Sequence, residues 1–161
     1  MKKLLFILLL ALVATGCKKE KKIDRNLWKQ GGEWEIKSLE EAYTSTSSPE
    51  YNFSNVINNG GSFYFEKDGT GRAVYSNDLA VYMEEITYEE YIYGNFSYYN
   101  SENSIYFIYS DDGGLAFDLE WEKDKIIMSY DVTQEHEFYD GNNNLVQLTT
   151  NYSLKFICEK K

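Results

Sequence analysis

His136 is the only histidine of the chain, so proton-shuttling chemistry near neutral pH would have to pass through it. It lies in Glu135-His136-Glu137, inside a run that reads as a strand. Neighbours on a strand point to opposite faces, so the two glutamates share one side and the imidazole takes the other. That is the pattern of a half-exposed strand histidine. No Gly-x-Ser-x-Gly turn is present to supply a nucleophile. A zinc site draws three or four ligands mainly from His and Cys, and the chain holds one His and two Cys. Paired carboxylates about 5 to 10 Å apart can hydrolyse a glycoside. With 24 acidic residues between positions 27 and 161, such a pair arises by chance. Asp140-Gly141-Asn142-Asn143-Asn144 places oxygens at the first, third and fifth positions of a calcium loop. The sixth position is Leu145 rather than glycine and the twelfth is Asn151 rather than glutamate, so the segment reads as a hairpin turn. No glycine-rich phosphate loop occurs. The expectation is a non-catalytic protein with no metal and no cofactor.

The remaining reactive group is Cys17. Met1-Lys2-Lys3 is followed by an apolar run from Leu4 to Ala14, which as a helix would cover about 16 Å, half a bilayer core. That is the length of a signal-peptide core. Small residues Ala14-Thr15-Gly16 then lead directly into Cys17. This arrangement resembles the lipobox of bacterial lipoproteins. The resemblance implies cleavage after residue 16, a diacylglyceryl group on the Cys17 sulfur and acylation of the new amino terminus. A single acyl chain binds a membrane marginally, whereas several anchor it stably. Lys18 after the cysteine resembles the pattern of lipoproteins passed to the outer membrane, which implies a periplasm-facing anchor. Residues 17–26 read as a lipidated, charged, extended tether, five basic and two acidic residues between 18 and 26. Its cations either face anionic head groups or are merely solvated.

Residues 27–161 then form the folded domain, with 9 basic and 24 acidic residues and a net charge of −15. Such acidity argues against nucleic acid as a partner. Once Cys17 is lipidated, Cys158 has no disulfide partner, so the core must hold the fold. Aromatic residues make up 17% of the chain, too many for disorder and favourable for sheet.

A period of two runs through most of this domain. Val146, Leu148, Thr150, Tyr152, Leu154, Phe156 and Cys158 alternate with mostly polar neighbours. Leu115, Phe117, Leu119 and Trp121 do the same, as do Ile105, Phe107 and Tyr109; Phe63 and Phe65; and Ile126, Met128 and Tyr130. Turn residues at 67–71, 100–103, 111–114, 122–125 and 141–144 separate the runs at hairpin spacing. Residues 41–60 read as a long polar loop, and 79–93 as either a short helix or an edge strand. No ten-residue helix is expected. The fold class that follows is all-β, an antiparallel up-and-down barrel of eight or nine strands, since closure removes exposed edges.

Gly32-Glu33-Trp34, "FYFEKDGTG" and the final "TTNYSLKF" resemble the lipocalin-like lipoproteins of Gram-negative envelopes. The resemblance implies a barrel that binds a small apolar or amphipathic ligand, with Trp34 at one end of it. In lipocalins a cation from the last strand covers that tryptophan, and Lys155 is the nearest basic residue here. Trp34 could touch ligand or simply plug the barrel. Tyr82, Tyr88, Tyr91, Tyr93, Tyr98 and Tyr99 crowd one region and could line a ligand site or form cross-strand pairs. Trp34, Tyr91, Tyr93 and Tyr98 are the candidate ligand contacts, and Cys17 is the lipidation site. The alternative is a protein-interaction or assembly module at the outer membrane.

Overall fold

In a computed structural model, which describes residues 19–86, 94–110, 113–139 and 141–161, the chain closes into one antiparallel up-and-down barrel. Its eight strands are β1 (Glu33–Ser45), β2 (Phe53–Phe65), β3 (Thr70–Tyr75), β4 (Gly94–Asn100), β5 (Ser104–Ser110), β6 (Gly113–Glu122), β7 (Lys125–Tyr139) and β8 (Leu145–Lys160). Each pairs with its sequence neighbour, and β1 pairs with β8 to close the ring. The expected fold class is therefore the one the chain adopts.

Alternation places the side chains as anticipated. Phe63, Phe65, Phe96, Phe107, Phe117 and Phe156 meet inside the barrel, with ring centroids as close as 4.9 Å between Phe96 and Phe107. Most of these rings contact edge to face, which suits their quadrupoles. Cys158 is fully buried among them, and burial raises its thiol pKa, so it is an inert core thiol.

Three readings of the sequence need correction. Residues 19–28 are helical (α1), not an extended tether. Ile23 and Leu27, four apart on one face, are fully buried against the barrel. A helix this short is marginal alone and is held by docking, so its surrounding charges conceal it in sequence. Residues 41–60 are mostly strand, with only a turn around Pro49–Tyr51 between β1 and β2. They lack alternation because both faces of this stretch meet solvent over much of its length; backbone pairing with β8 sustains the strand, as in Thr44 with Asn151. Finally, Asn77–Ile86 is a ten-residue helix (α2). The Ser76 Oγ accepts from the Leu79 N–H at 3.4 Å and its carbonyl accepts from Ala80 at 2.8 Å, the start signal that settles helix over strand. Leu79 on α2 is fully buried.

β1 is bent. Its register shifts between Ile36 and Ser38 against both β2 and β8. Opposite, Asn59 takes φ 55° and Gly61 φ 110°. Gly60 between them has no room for a side chain: a Cβ would lie 2.7 Å from Leu79 Cδ2 and 2.8 Å from Ile36 Cγ2. The Asn-Gly run thus supplies both the irregular backbone and the close approach of α2.

Candidate functional site

The two ends of the barrel differ. At one end α1 lies across the hairpin turns. Asn26 Nδ2 donates to the Lys123 carbonyl at 2.9 Å, Asn100 Nδ2 to the Glu20 carbonyl at 3.4 Å, and Lys67 sits over the Trp28 ring. Trp34 lies beneath α1 with no exposed surface, its indole N–H donating to the Leu27 carbonyl at 2.9 Å. The cation over its ring is Lys160, at 5.0 Å, and not Lys155, which pairs with Glu40 at 3.1 Å on the outside. Lys160 also donates to the Asn26 carbonyl. Burial lowers its pKa, with Asp124 opposing that shift and Lys29 adding to it. Gly32, two residues before Trp34, has φ 64°, and a Cβ there would run into the Phe65 carbonyl whose own N–H donates to Gly32. The Gly-x-Trp spacing therefore has a local cause in this chain.

Of the candidate contacts, Trp34 is thus sealed inside this closed end. Tyr98 is there too, 5% exposed, donating to the Glu66 carbonyl at 2.8 Å and contributing to a shallow cleft with Glu20, Asp24 and Tyr99. Tyr99 stacks on Tyr106 at 4.5 Å as a cross-strand pair on the outer face. Tyr82 packs against the core. Tyr88, Tyr91 and Tyr93 lie outside the described residues, as do residues 1–16 and Cys17. The tyrosines named from sequence do not converge on one site among the described residues.

The opposite end flares. β6 pairs with β7 only as far as Ser129, and β3 with β2 only over Gly61 to Phe65. Beyond those points β2, β1, β8 and β7 continue as a four-stranded sheet. Where it leaves the filled core it carries Glu41, which sequence reading passed over. Glu41 is 3% exposed and shares the interior face with Leu39. Its register partner on β8 is Leu154, whose partner on β7 is Tyr130. Tyr152 donates its hydroxyl to Glu41, and among the described residues the Oε2 atom is buried without a hydrogen-bond partner. Burial pushes the Glu41 pKa up, the Tyr152 hydrogen bond pulling partly back. The tyrosine pKa rises in turn, through burial first and Glu41 second.

The bulge hides this residue. Counting in twos from Trp34 and Ile36 puts Ser38 and Glu40 inside; Lys37, the extra residue against β8, reverses the phase and turns Leu39 and Glu41 inward. The clue available in the sequence is Leu39, apolar at the wrong parity. Above Glu41 the same face carries Tyr43, stacked on Phe53 at 6.0 Å, and Val132, Val146, Leu148 and Phe138. By register Ser45, Thr150, Gln134 and His136 share that face, so the apolar groups above the buried acceptor are interspersed with polar ones.

His136 is exposed on β7 opposite Leu148, and Gln147 Nε2 donates to Glu137 on the other face at 2.8 Å. Among the described residues no three His, Cys, Asp or Glu side chains gather as a metal site. In comparisons with known proteins, no family model matches the chain, and no curated protein does.

Proposed function

We propose that this chain is a non-catalytic outer-membrane lipoprotein, anchored through Cys17 on the periplasmic side, whose barrel takes a small amphipathic ligand at its flared end. The observation that carries the ligand reading is Glu41. A carboxylate oxygen held in the interior without a partner costs about 1 to 3 kcal/mol, and a ligand N–H or O–H would relieve that cost. The ligand's polar head donates to Glu41, and its apolar part lies along Tyr43, Tyr152 and Leu148. The filled lower barrel limits entry, so the ligand occupies the mouth rather than the full depth. The probe is dodecylamine, compared with dodecyl sulfate. Wild type should bind the amine with saturation, and Glu41→Ala should weaken it at least tenfold. Equal binding of both detergents, or an unaffected variant, excludes Glu41 as the anchor of a ligand.

The anchor has its own test. Cells fed radioactive palmitate should label the wild type and not Cys17→Ala; an unlabelled wild type would end the lipoprotein reading.

A second reading, a protein-interaction or assembly module, has one observation in its favour. Phe138, Tyr139 and Leu145 at the tip of the β7–β8 arm are 46%, 67% and 53% exposed. Residues 131–139 of β7 pair only with β8 among the described residues, leaving an edge able to accept another strand.

A further inference from the structure

At the closed end, α1 and the β6–β7 turn enclose a cleft of about 570 Å³, lined by Lys22, Arg25, Asn26, Lys29, Trp121 and Lys123 with Glu122. Four cations face one carboxylate there, on a chain whose formal net charge is −10. None of Lys22, Arg25 and Lys29 takes part in a salt bridge among the described residues, whereas Lys19, Lys37, Lys155 and Lys161 all do. Lys123 pairs only with its neighbour Asp124, at 3.5 Å and largely exposed, a contact worth little. The cations are therefore concentrated and unspent.

Their positions are fixed. Ile23 and Leu27 bury one side of α1, which turns Lys22 and Arg25 outward along the cleft. The hydrogen bond from Asn26 to Lys123 ties the helix to the turn at the cleft floor. Lys22 Nζ lies 5.4 Å from the centre of the Trp121 ring. The Trp121 indole N–H is buried and has no acceptor among the described residues. Apart from Glu122, the charged groups of this cleft are cations, and beside them stands a buried donor, so the set favours an anionic acceptor.

We propose that this cleft binds the phosphate of an anionic phospholipid head group and seats the closed end of the barrel on the bilayer. Choosing a lipid as the source rests on the Cys17 anchor proposed above. Residue 19 is two positions from Cys17, no more than about 7 Å of chain, so an anchor there holds α1 at the head-group layer. Basic residues near such a surface each contribute about 1 kcal/mol, and tryptophan suits the interface. The flared end then faces away from the membrane.

The test titrates the full chain with dihexanoyl-phosphatidylglycerol below its micelle concentration, following tryptophan emission, beside dihexanoyl-phosphatidylcholine and inorganic phosphate. Saturable binding of the glycerol lipid alone is expected, at least tenfold weaker in Lys22→Glu/Arg25→Glu. Both side chains are exposed, so this variant should keep the wild-type unfolding temperature. If it does not, Lys22→Gln/Arg25→Gln takes its place, with a loss of at least threefold expected. Equal binding of the choline lipid, or variants that bind as wild type, overturns the cleft. Inorganic phosphate binding as tightly as the lipid reassigns the site to free phosphate and overturns the lipid. An unlabelled Cys17 with glycerol-lipid binding intact removes the anchor alone, while a labelled chain that ignores the lipid removes the cleft alone.

Discussion

The first and second halves of β7 make the same alternating backbone and meet different fates. Ile126 and Met128, near its start, have no exposed surface; residues 133–139 are exposed on both faces. The difference is the neighbour. Up to Ser129 the strand is paired on both sides and curved around a phenylalanine core, whereas beyond it only β8 pairs with it among the described residues. The barrel is closed and filled below, and above it β2, β1, β8 and β7 run on as a four-stranded sheet, which separates the work of stability from the work of recognition. Below, Trp34 and Tyr98 find acceptors although the Trp121 indole does not, while the orphaned oxygen of Glu41 sits where the two regimes meet.

That contrast breaks most easily at the closed end. Trp34→Ala removes a fully buried ring, the donor to the Leu27 carbonyl and the platform under Lys160, and should cost about 3 to 5 kcal/mol in chemical denaturation. Leu27→Ala should cost about 2 to 4 kcal/mol by the same measurement. An unchanged denaturation midpoint would mean that α1 is an appendage after all.

At the boundary the expected effect is smaller and of opposite sign. Glu41 has its pKa raised in the folded chain, so the native state binds more protons than the unfolded state between the ordinary value of 4.5 and the raised one. Stability from this group is therefore complete below pH 4.5 and is lost as pH climbs through the raised pKa. Glu41→Gln should accordingly stabilise at pH 7 by about 1 kcal/mol, or about 2 to 4 °C in melting temperature, and the gap should close in acid. A gap that widens in acid would mean that the carboxylate is stabilised as an ion by a partner.

At the flared tip, Phe138→Ser should move stability by no more than about 0.5 kcal/mol, read by thermal unfolding. A larger loss would show that the arm packs against something in solution, and would favour the partner reading.

Much of the barrel is legible in the residues alone. Leu154, Phe156 and Cys158 on β8, or Phe117 and Leu119 on β6, announce an inward face because strand geometry repeats every two residues and burial selects for apolar groups. Turns such as Asp68-Gly69-Thr70, where Gly69 takes φ 83°, are equally local, since only glycine adopts that conformation freely. Three things were decided elsewhere. Residues 19–28 are too short to be helical without a barrel end to bury Ile23 and Leu27. β1 runs through polar residues because β8 offers it a hydrogen-bonding edge, and β2 because β1 does in turn. Glu41 faces inward because a bulge at Lys37, opposite Asn59 and Gly60, reverses the phase of the strand. Each depends on a segment distant in sequence, and periodicity carries no information about which partner will cover a face or where a register slips.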